Sequence, residues 1–484
     1  MLDIIKLILE FLIEYAYNID LIFVLIIIFF HRKNPESTLL WIMVIMIFHT
    51  PGIILYLLIG ADYRKAERFV SQEDKEFKYQ ELVEQQLKEL DLNEMPFEDK
   101  NYLPYESLIR HNLMNAGAFI TNGNTIEIFT DGTKKFYKLI EDIRNAKESI
   151  YLEYYIFKAD KLGKLILKEL TIKASEGLDV KLLVDGMGGR RIRKKDIREF
   201  KEAGGSFQVF FPLLFSLLFF RLNYRNHRKI ALFDNEIGYV GGFNIGDEYI
   251  NKSPFGYWND THLRITGNGI AGLYQRFYLD WKHATREEIK LPNIKKENNT
   301  SKNAGIQIVS SGPDSKWPSN KDAYIRMIGS AKKRIYIKSP YFIPDESVYD
   351  AVRLAAISGI DVRIMIPMKR DHPFVYWAGI SFLGELLKAG VKVYEYYDGF
   401  MHSKCLIVDD FVTSVGTTNM DIRSFILNFE VNAICYDKEV NRILSSQFVG
   451  DISKSMELTI EKYEARTLMT KIKESISRLF SPLL

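Results

Sequence analysis

Hydrophobic positions are distributed unevenly along this chain. From Thr38 to Gly60 (TLLWIMVIMIFHTPGIILYLLIG) there is no formal charge. A helix of that length, at ~1.5 Å rise per residue, covers roughly 35 Å, enough to cross a bilayer's hydrocarbon core. Pro51 and Gly52 predict a bend, which a membrane helix tolerates. Upstream, Tyr15–Phe30 predicts a first span, with Asp20 followed by the apolar run Leu21–Phe30. Glu10, Glu14 and Asn18 interrupt the pattern before it, so an amphipathic interfacial helix is the alternative. Neither a basic leader nor a small-residue cleavage site points to a signal peptide. Arg64, Lys65 and Arg68 after the second segment outnumber Arg32 and Lys33 between the two, which predicts a cytoplasmic C-terminal body.

Beyond the anchor, Glu67 to Asn93 is charged and helix-prone with weak periodicity, and reads as a solvated connector. The chain then repeats itself in order. AKESIYL at 146–152 returns as AKKRIYI at 331–337, and DVKLLV at 179–184 as DVRIMI at 361–366. HRKIALFDNEIGYVGGFN at 227–244 returns as HSKCLIVDDFVTSVGTTN at 402–419. Short β-rich runs alternate with helical stretches such as Gly163–Ser175 and Glu346–Ser358, which predicts α/β domains with helices flanking a sheet. A polar stretch from Ala284 to Ala304 joins the copies. The expected organisation is a two-helix transmembrane anchor (1–65), a connector (66–110) and two tandem α/β domains (111–290 and 305–484) packed as a pseudo-dimer.

Composition changes this picture little. With 484 residues, 47% apolar and 26% charged, the chain has room for two or three folded domains. A net charge of +3 offers no overall nucleic-acid footprint. Cys405 and Cys435 are too few for a disulfide framework or a zinc site and read as core residues.

The chemistry lies in the longest repeat. Copy one carries His227, Lys229, Asp234, Gly241, Gly242 and Asn244; copy two carries His402, Lys404, Asp409, Gly416, Thr417 and Asn419 at identical spacing. On a strand, residues i and i+2 share a face, so each histidine points the same way as its lysine. A cation beside an imidazole suits an anionic substrate. The glycines are expected to let a phosphate approach the backbone, and the asparagines to supply donors. Asp234 and Asp409 complete the candidate catalytic set, as orienters rather than reactants, because they lie past the alternating register. A single copy could be a core histidine beside a surface lysine; two copies inside a wider repeat are not accidental.

These paired motifs resemble the HKD motifs of the phospholipase D superfamily. The resemblance implies one active site where the halves meet. One histidine attacks phosphorus and the other serves as acid, then base. Lysines and asparagines would bind the phosphoryl oxygens. It also implies orienting carboxylates downstream, Glu430 in copy two and Asp260 in copy one, with no metal and no cofactor. Tyr341 falls in a recurrent family stretch, with a core tyrosine as the alternative. His227 is the expected nucleophile, as the first copy often is in this superfamily.

Further segments narrow the resemblance to bacterial cardiolipin synthases: NPESTLLW at 34–41, YLLIG at 56–60, RNHRK at 225–229, GGFNIGDEY at 241–249, SPYFIPDE at 339–346 and SPLL at 481–484. The departure is Thr417, where serine is usual; the hydroxyl is kept. The implied reaction joins two phosphatidylglycerols into cardiolipin and glycerol through a phosphohistidine at the bacterial cell (inner) membrane. The implied partners are phosphatidylglycerol and other anionic phospholipids, not nucleic acid. No GxxxxGK[ST] loop is present, and Asp185–Gly186 lacks the spaced aspartates of the CDP-alcohol class. A phospholipase D that hydrolyses, or transfers to another alcohol, is the alternative; a silent scaffold or a membrane nuclease fits less well with two intact motifs and an anchor. Val209–Phe220 (VFFPLLFSLLFF) is too short to span and is expected to dip into the interface, with Arg221, Arg225 and Arg228 meeting anionic headgroups.

Overall fold

The computed structural model describes residues 15–30, 35–57, 78–92, 100–212, 224–294 and 304–481. Among these residues the body is built on one 16-stranded sheet that runs through both halves. In the first half the strand order is Ser206–Phe210, Asp179–Asp185, Ser149–Tyr154, Lys229–Phe233, Ile237–Gly241, His262–Thr266 and Ile120–Phe129. In the second half it is Ser455–Leu458, Lys392–Tyr396, Asp361–Pro367, Arg334–Lys338, Cys405–Val408, Val412–Gly416, Asn428–Tyr436 and Ala304–Ser311. The halves join where Ile120–Phe129 pairs antiparallel with Ala304–Ser311. The mixed α/β architecture with two repeated domains is the one the repeat predicted.

Each half has the same local logic. Three strands run parallel, linked through helices such as Lys161–Ser175 and Glu346–Ile357. Asp160 and Asp345 start those helices by accepting the amides of Gly163 and Val348, both at 3.1 Å. The repeated motif forms an antiparallel hairpin beside the parallel set: Lys229–Phe233 with Ile237–Gly241, and Cys405–Val408 with Val412–Gly416. These strands are covered on both faces, so they read as continuous apolar runs rather than alternating ones.

The stretch expected to be a solvated connector is in part docked. Gln80–Asp91 buries Val83, Gln86 and Leu90. Gln86 donates to the Ile120 carbonyl (2.7 Å) and accepts from the Ile120 amide (2.9 Å), capping the strand that joins the halves. The weak periodicity concealed this because a buried glutamine counts as polar. Residues around Tyr102 pack on the second half, where the ring meets Phe411 and Tyr436.

In the anchor the first helix falls short of a span, and the bend expected at Pro51 and Gly52 is a full reversal. Ala16–Phe30 has 15 residues, roughly 22 Å of helix, short of the ~30 Å hydrocarbon core. Thr38–Leu55 is, among the described residues, the one helix long and apolar enough to cross a membrane by length and composition. It turns back at His49, where φ is 50° and ψ −128°. Trp41 and Tyr56 consequently meet edge to face at 5.3 Å. Pro51 cannot continue the helix it follows, and Gly52 lets the returning chain press on Val44, whose carbonyl would lie 2.7 Å from an added Cβ. Asp20 is buried against His49 Nδ1 at 2.5 Å. Leu21, Leu25, Phe29, Leu39, Ile47 and Phe48 face outward, an apolar surface suited to lipid.

Candidate active site

Both histidines lie where a motif strand leaves the sheet toward the other half. The His227 amide donates to the Phe429 carbonyl (2.9 Å), and the His402 amide to the Asn259 carbonyl (2.7 Å). Arg225–Asn226 pairs with Asn428–Phe429, and Phe400–Met401 with Trp258–Asn259, two short parallel ladders that cross between domains. His227 and His402 thereby share one cavity of about 630 Å³.

The carboxylates beside the two histidines are exchanged between halves. His227 Nδ1 lies 2.9 and 3.0 Å from the two Glu430 oxygens. His402 Nδ1 lies 2.6 Å from Asp260. Both carboxylates are fully buried. The Nδ1–carboxylate contact leaves Nε2 of each imidazole for substrate. Lys229 Nζ donates to the His227 carbonyl and Lys404 Nζ to the His402 carbonyl, each at 2.5 Å, and Lys404 Nζ also lies 2.8 Å from His402 Nδ1.

Burial dominates the electrostatics. It pulls both imidazoles down to about 4; Lys229 adds to this at His227 against Glu430, and Lys404 at His402 against Asp260. Burial likewise brings Lys229 to about 7 and Lys404 to about 8. For Glu430, burial favours the neutral acid, but His227 and Lys229 outweigh it and hold the carboxyl below its ordinary value. Burial thus favours the neutral imidazole, the form a nucleophile needs.

Asn244 and Asn419 line the cavity. Asn244 accepts the Ile156 amide (3.1 Å) and donates to Tyr249 (2.9 Å); Asn419 donates to Ser424 (3.2 Å). Tyr341 lines it too and donates to Asp371. Asp234 and Asp409 stand apart. Asp234 accepts the amides of Lys147, Glu148 and Ser149 at 2.8–2.9 Å. Asp409 accepts those of Lys332, Lys333 and Arg334 at 2.8–3.0 Å. They anchor the turn into the neighbouring strand, so their place is structural and not among the groups around the histidines.

The small residues of the motif also serve a different purpose from the one expected. A Cβ on Gly242 would sit 1.9 Å from Asp260 Oδ1, and one on Gly416 would sit 2.0 Å from Asn432 Oδ1. They make room for side chains of the adjoining strand, not for a phosphate on the backbone. Arg228, expected at the membrane interface, is fully buried and grips Asp280 through two 2.7 Å contacts. Its Nε donates to the Glu430 carbonyl (3.2 Å), steadying the strand that holds the carboxylate. Residues 213–223, most of the apolar run before it, lie outside the described residues. Sequence reasoning missed Tyr155, Trp258, Asn428 and Arg423 in the cavity wall. Asn428 and Trp258 could have been found, each standing two residues before an orienting carboxylate.

A family model described as "Cardiolipin synthase, PLD-like domain" matches residues 139–260 and 324–452, and "Phospholipase_D-nuclease N-terminal" matches 19–60. The chain is 46% identical to cardiolipin synthase 2 of Staphylococcus epidermidis, covering 99% of each. It is 45% identical to the major cardiolipin synthase ClsA of Bacillus subtilis, over 98% of this chain and 99% of that one. Among solved structures, phosphatidylserine synthase of Haemophilus influenzae superposes with a TM-score of 0.59 over 80% of this chain and all (100%) of its own, at 18% identity, a likeness of fold.

Proposed function

Because the chain belongs to the cardiolipin synthases built on phospholipase D-like domains, we propose that it transfers a phosphatidyl group from one phosphatidylglycerol to the hydroxyl of another. In the first half-reaction Nε2 of His227 attacks the donor phosphorus. The phosphorus–oxygen bond to glycerol breaks, and His402 gives that oxygen its proton. In the second, His402 takes the proton of the acceptor hydroxyl, whose oxygen displaces His227 from phosphorus. One phosphodiester replaces another, so no nucleotide is consumed. Lys229, Lys404, Asn244 and Asn419 surround the phosphoryl oxygens, and Glu430 and Asp260 hold the imidazoles in register.

His402 must be protonated to act as acid, a form that burial disfavours. A bound phosphodiester anion supplies the missing stabilisation of an imidazolium. The anchor is assigned to the bacterial cell membrane with the body on the cytoplasmic side.

The observation that carries this reading is the exchanged pairing: two histidines from different halves on one cavity, each held by the other half's carboxylate. The test uses the purified full chain in phosphatidylglycerol micelles. Cardiolipin with matching glycerol is expected, lost in both His227→Ala and His402→Ala. Phosphatidic acid as the main product would instead make this a hydrolase. A phosphohistidine trapped in His402→Ala and absent in His227→Ala is expected; the reverse would exchange the two roles.

A further inference from the structure

The pseudo-two-fold relates the catalytic groups, but the cavity walls do not obey it. Arg225 stands two residues before His227, and both line the cavity. The equivalent of Arg225 in the other half is Phe400, fully buried and stacked near Trp258 at 5.0 Å. The ladder partners differ in the same sense: Asn428 faces Arg225, whereas Trp258 faces Phe400. The loops after the motif asparagines differ too. Four residues after Asn419 comes Arg423, which lines the cavity; four after Asn244 comes Glu248, which is ion-paired with Lys158. The wall beside His227 therefore carries Arg225 and Arg423 next to Tyr155, where the other half sets Phe400 and Trp258 beside His402.

Two guanidiniums on one small cavity repel. Burial, and then Arg225, depress the Arg423 guanidinium below its ordinary value. Asp185 lies near them and is held by the amides of Met187 (2.8 Å), Gly188 (3.1 Å) and Asn226 (2.9 Å). Asp421, which also lines the cavity, accepts the Ser424 amide at 2.6 Å. An anion entering the cavity on this side would meet both guanidiniums.

The reaction supplies such an anion on one side only. The donor's phosphate is the reacting centre, shared by the two lysines. The acceptor lipid brings a second phosphate, tethered to its attacking hydroxyl by a three-carbon glycerol. Standard bond lengths place it roughly 6 Å from the reacting phosphorus. We propose that Arg225 and Arg423 form a subsite for the phosphate of the acceptor lipid, selecting a lipid alcohol over water or a simple alcohol. This rests on the synthase reading above.

The test measures two acceptors in one preparation of the full chain: phosphatidylglycerol alone, giving cardiolipin, and phosphatidylglycerol with 1-butanol, giving phosphatidylbutanol. Arg423→Gln, at a partly exposed position that a polar side chain can occupy, is the first variant, and Arg225→Gln the second. The expected result is a fall of tenfold or more in the ratio of cardiolipin to phosphatidylbutanol, expressed in the acceptor KM. Arg423→Lys, which keeps the charge, should recover part of it. An unchanged ratio in Arg423→Gln, with thermal melting as in the wild type, overturns the subsite. Wild-type protein that makes phosphatidylbutanol but no cardiolipin overturns the synthase reading itself and the subsite with it.

Discussion

Gly242→Ala should disable the enzyme without touching a reacting group. The added Cβ would lie 1.9 Å from Oδ1 and 2.7 Å from Oδ2 of Asp260, with the carboxylate carbon at 2.6 Å. Heavy atoms in contact stand at roughly 3.5 Å, so the carboxylate must retreat by more than ~1 Å. It has little space to do so, being fully buried and holding the Thr261 amide at 2.8 Å and His402 at 2.6 Å. Losing the second contact frees the His402 ring to rotate and removes the partner of its imidazolium. A displacement of this size in a catalytic constellation costs on the order of 10²-fold in rate, and full loss of acid–base function up to about 10⁴-fold. The first figure corresponds to about 2.7 kcal/mol of transition-state stabilisation. The assay is kcat for cardiolipin formation from phosphatidylglycerol, with thermal melting in parallel. Gly450→Ala is the control, since nothing lies within 4 Å of its added Cβ, and it should behave as wild type. Because Gly242 acts through Asp260, the double variant Gly242→Ala/Asp260→Ala should be no slower than Asp260→Ala alone. A folded Gly242→Ala enzyme with wild-type kcat would refute the reasoning.

Asp234→Ala and Asp409→Ala should each destabilise the fold by about 2–3 kcal/mol for three amide bonds to a carboxylate, read as a lower melting temperature, while the kcat of the protein that remains folded stays near wild type; a selective loss of kcat would return them to the chemistry. Removing Asp280 by Asp280→Ala strands the buried Arg228 and should cost about 3–5 kcal/mol in denaturant unfolding, and a neutral result would mean that water reaches the guanidinium. Both histidines titrate near 4 when folded against ~6.5 when unfolded, so between those values the unfolded chain binds more protons. Stability should therefore fall as pH drops from about 6.5 toward 4, and less steeply in His227→Gln, as read by melting temperature against pH; identical slopes would contradict the assignment.

Much of this protein was legible in one dimension. A repeat of strand-forming segments separated by helical ones specifies an α/β domain twice, because period-two and period-3.6 patterns bury different faces. The motif strands were legible for the same reason, and with them His227, Lys229, His402 and Lys404 as neighbours on one face. Asp260 and Glu430 could be named from the resemblance as carboxylates downstream of the motifs. The docked helix Gln80–Asp91 was not legible, and of the reversal at His49 only a bend near Pro51 and Gly52 was. The first depends on a glutamine whose partners are backbone atoms some 34 residues away, the second on Gly52 meeting Val44 across a closed loop.

What the sequence determined by itself was the inventory: an apolar anchor, two domains, and two sets of candidate catalytic groups with their internal spacing. It could not say which carboxylate serves which histidine, since proximity in the chain suggests that each motif uses its own. The fold decides the opposite. Short ladders carry Arg225–Asn226 onto Asn428–Phe429 and Phe400–Met401 onto Trp258–Asn259, so Glu430 reaches His227 and Asp260 reaches His402. The same crossing sets Arg225 beside Arg423 and leaves Phe400 against Trp258. The physical reason is that strand pairing between domains is chosen by the packing of the whole sheet around its pseudo-two-fold, a long-range burial condition that no local pattern encodes.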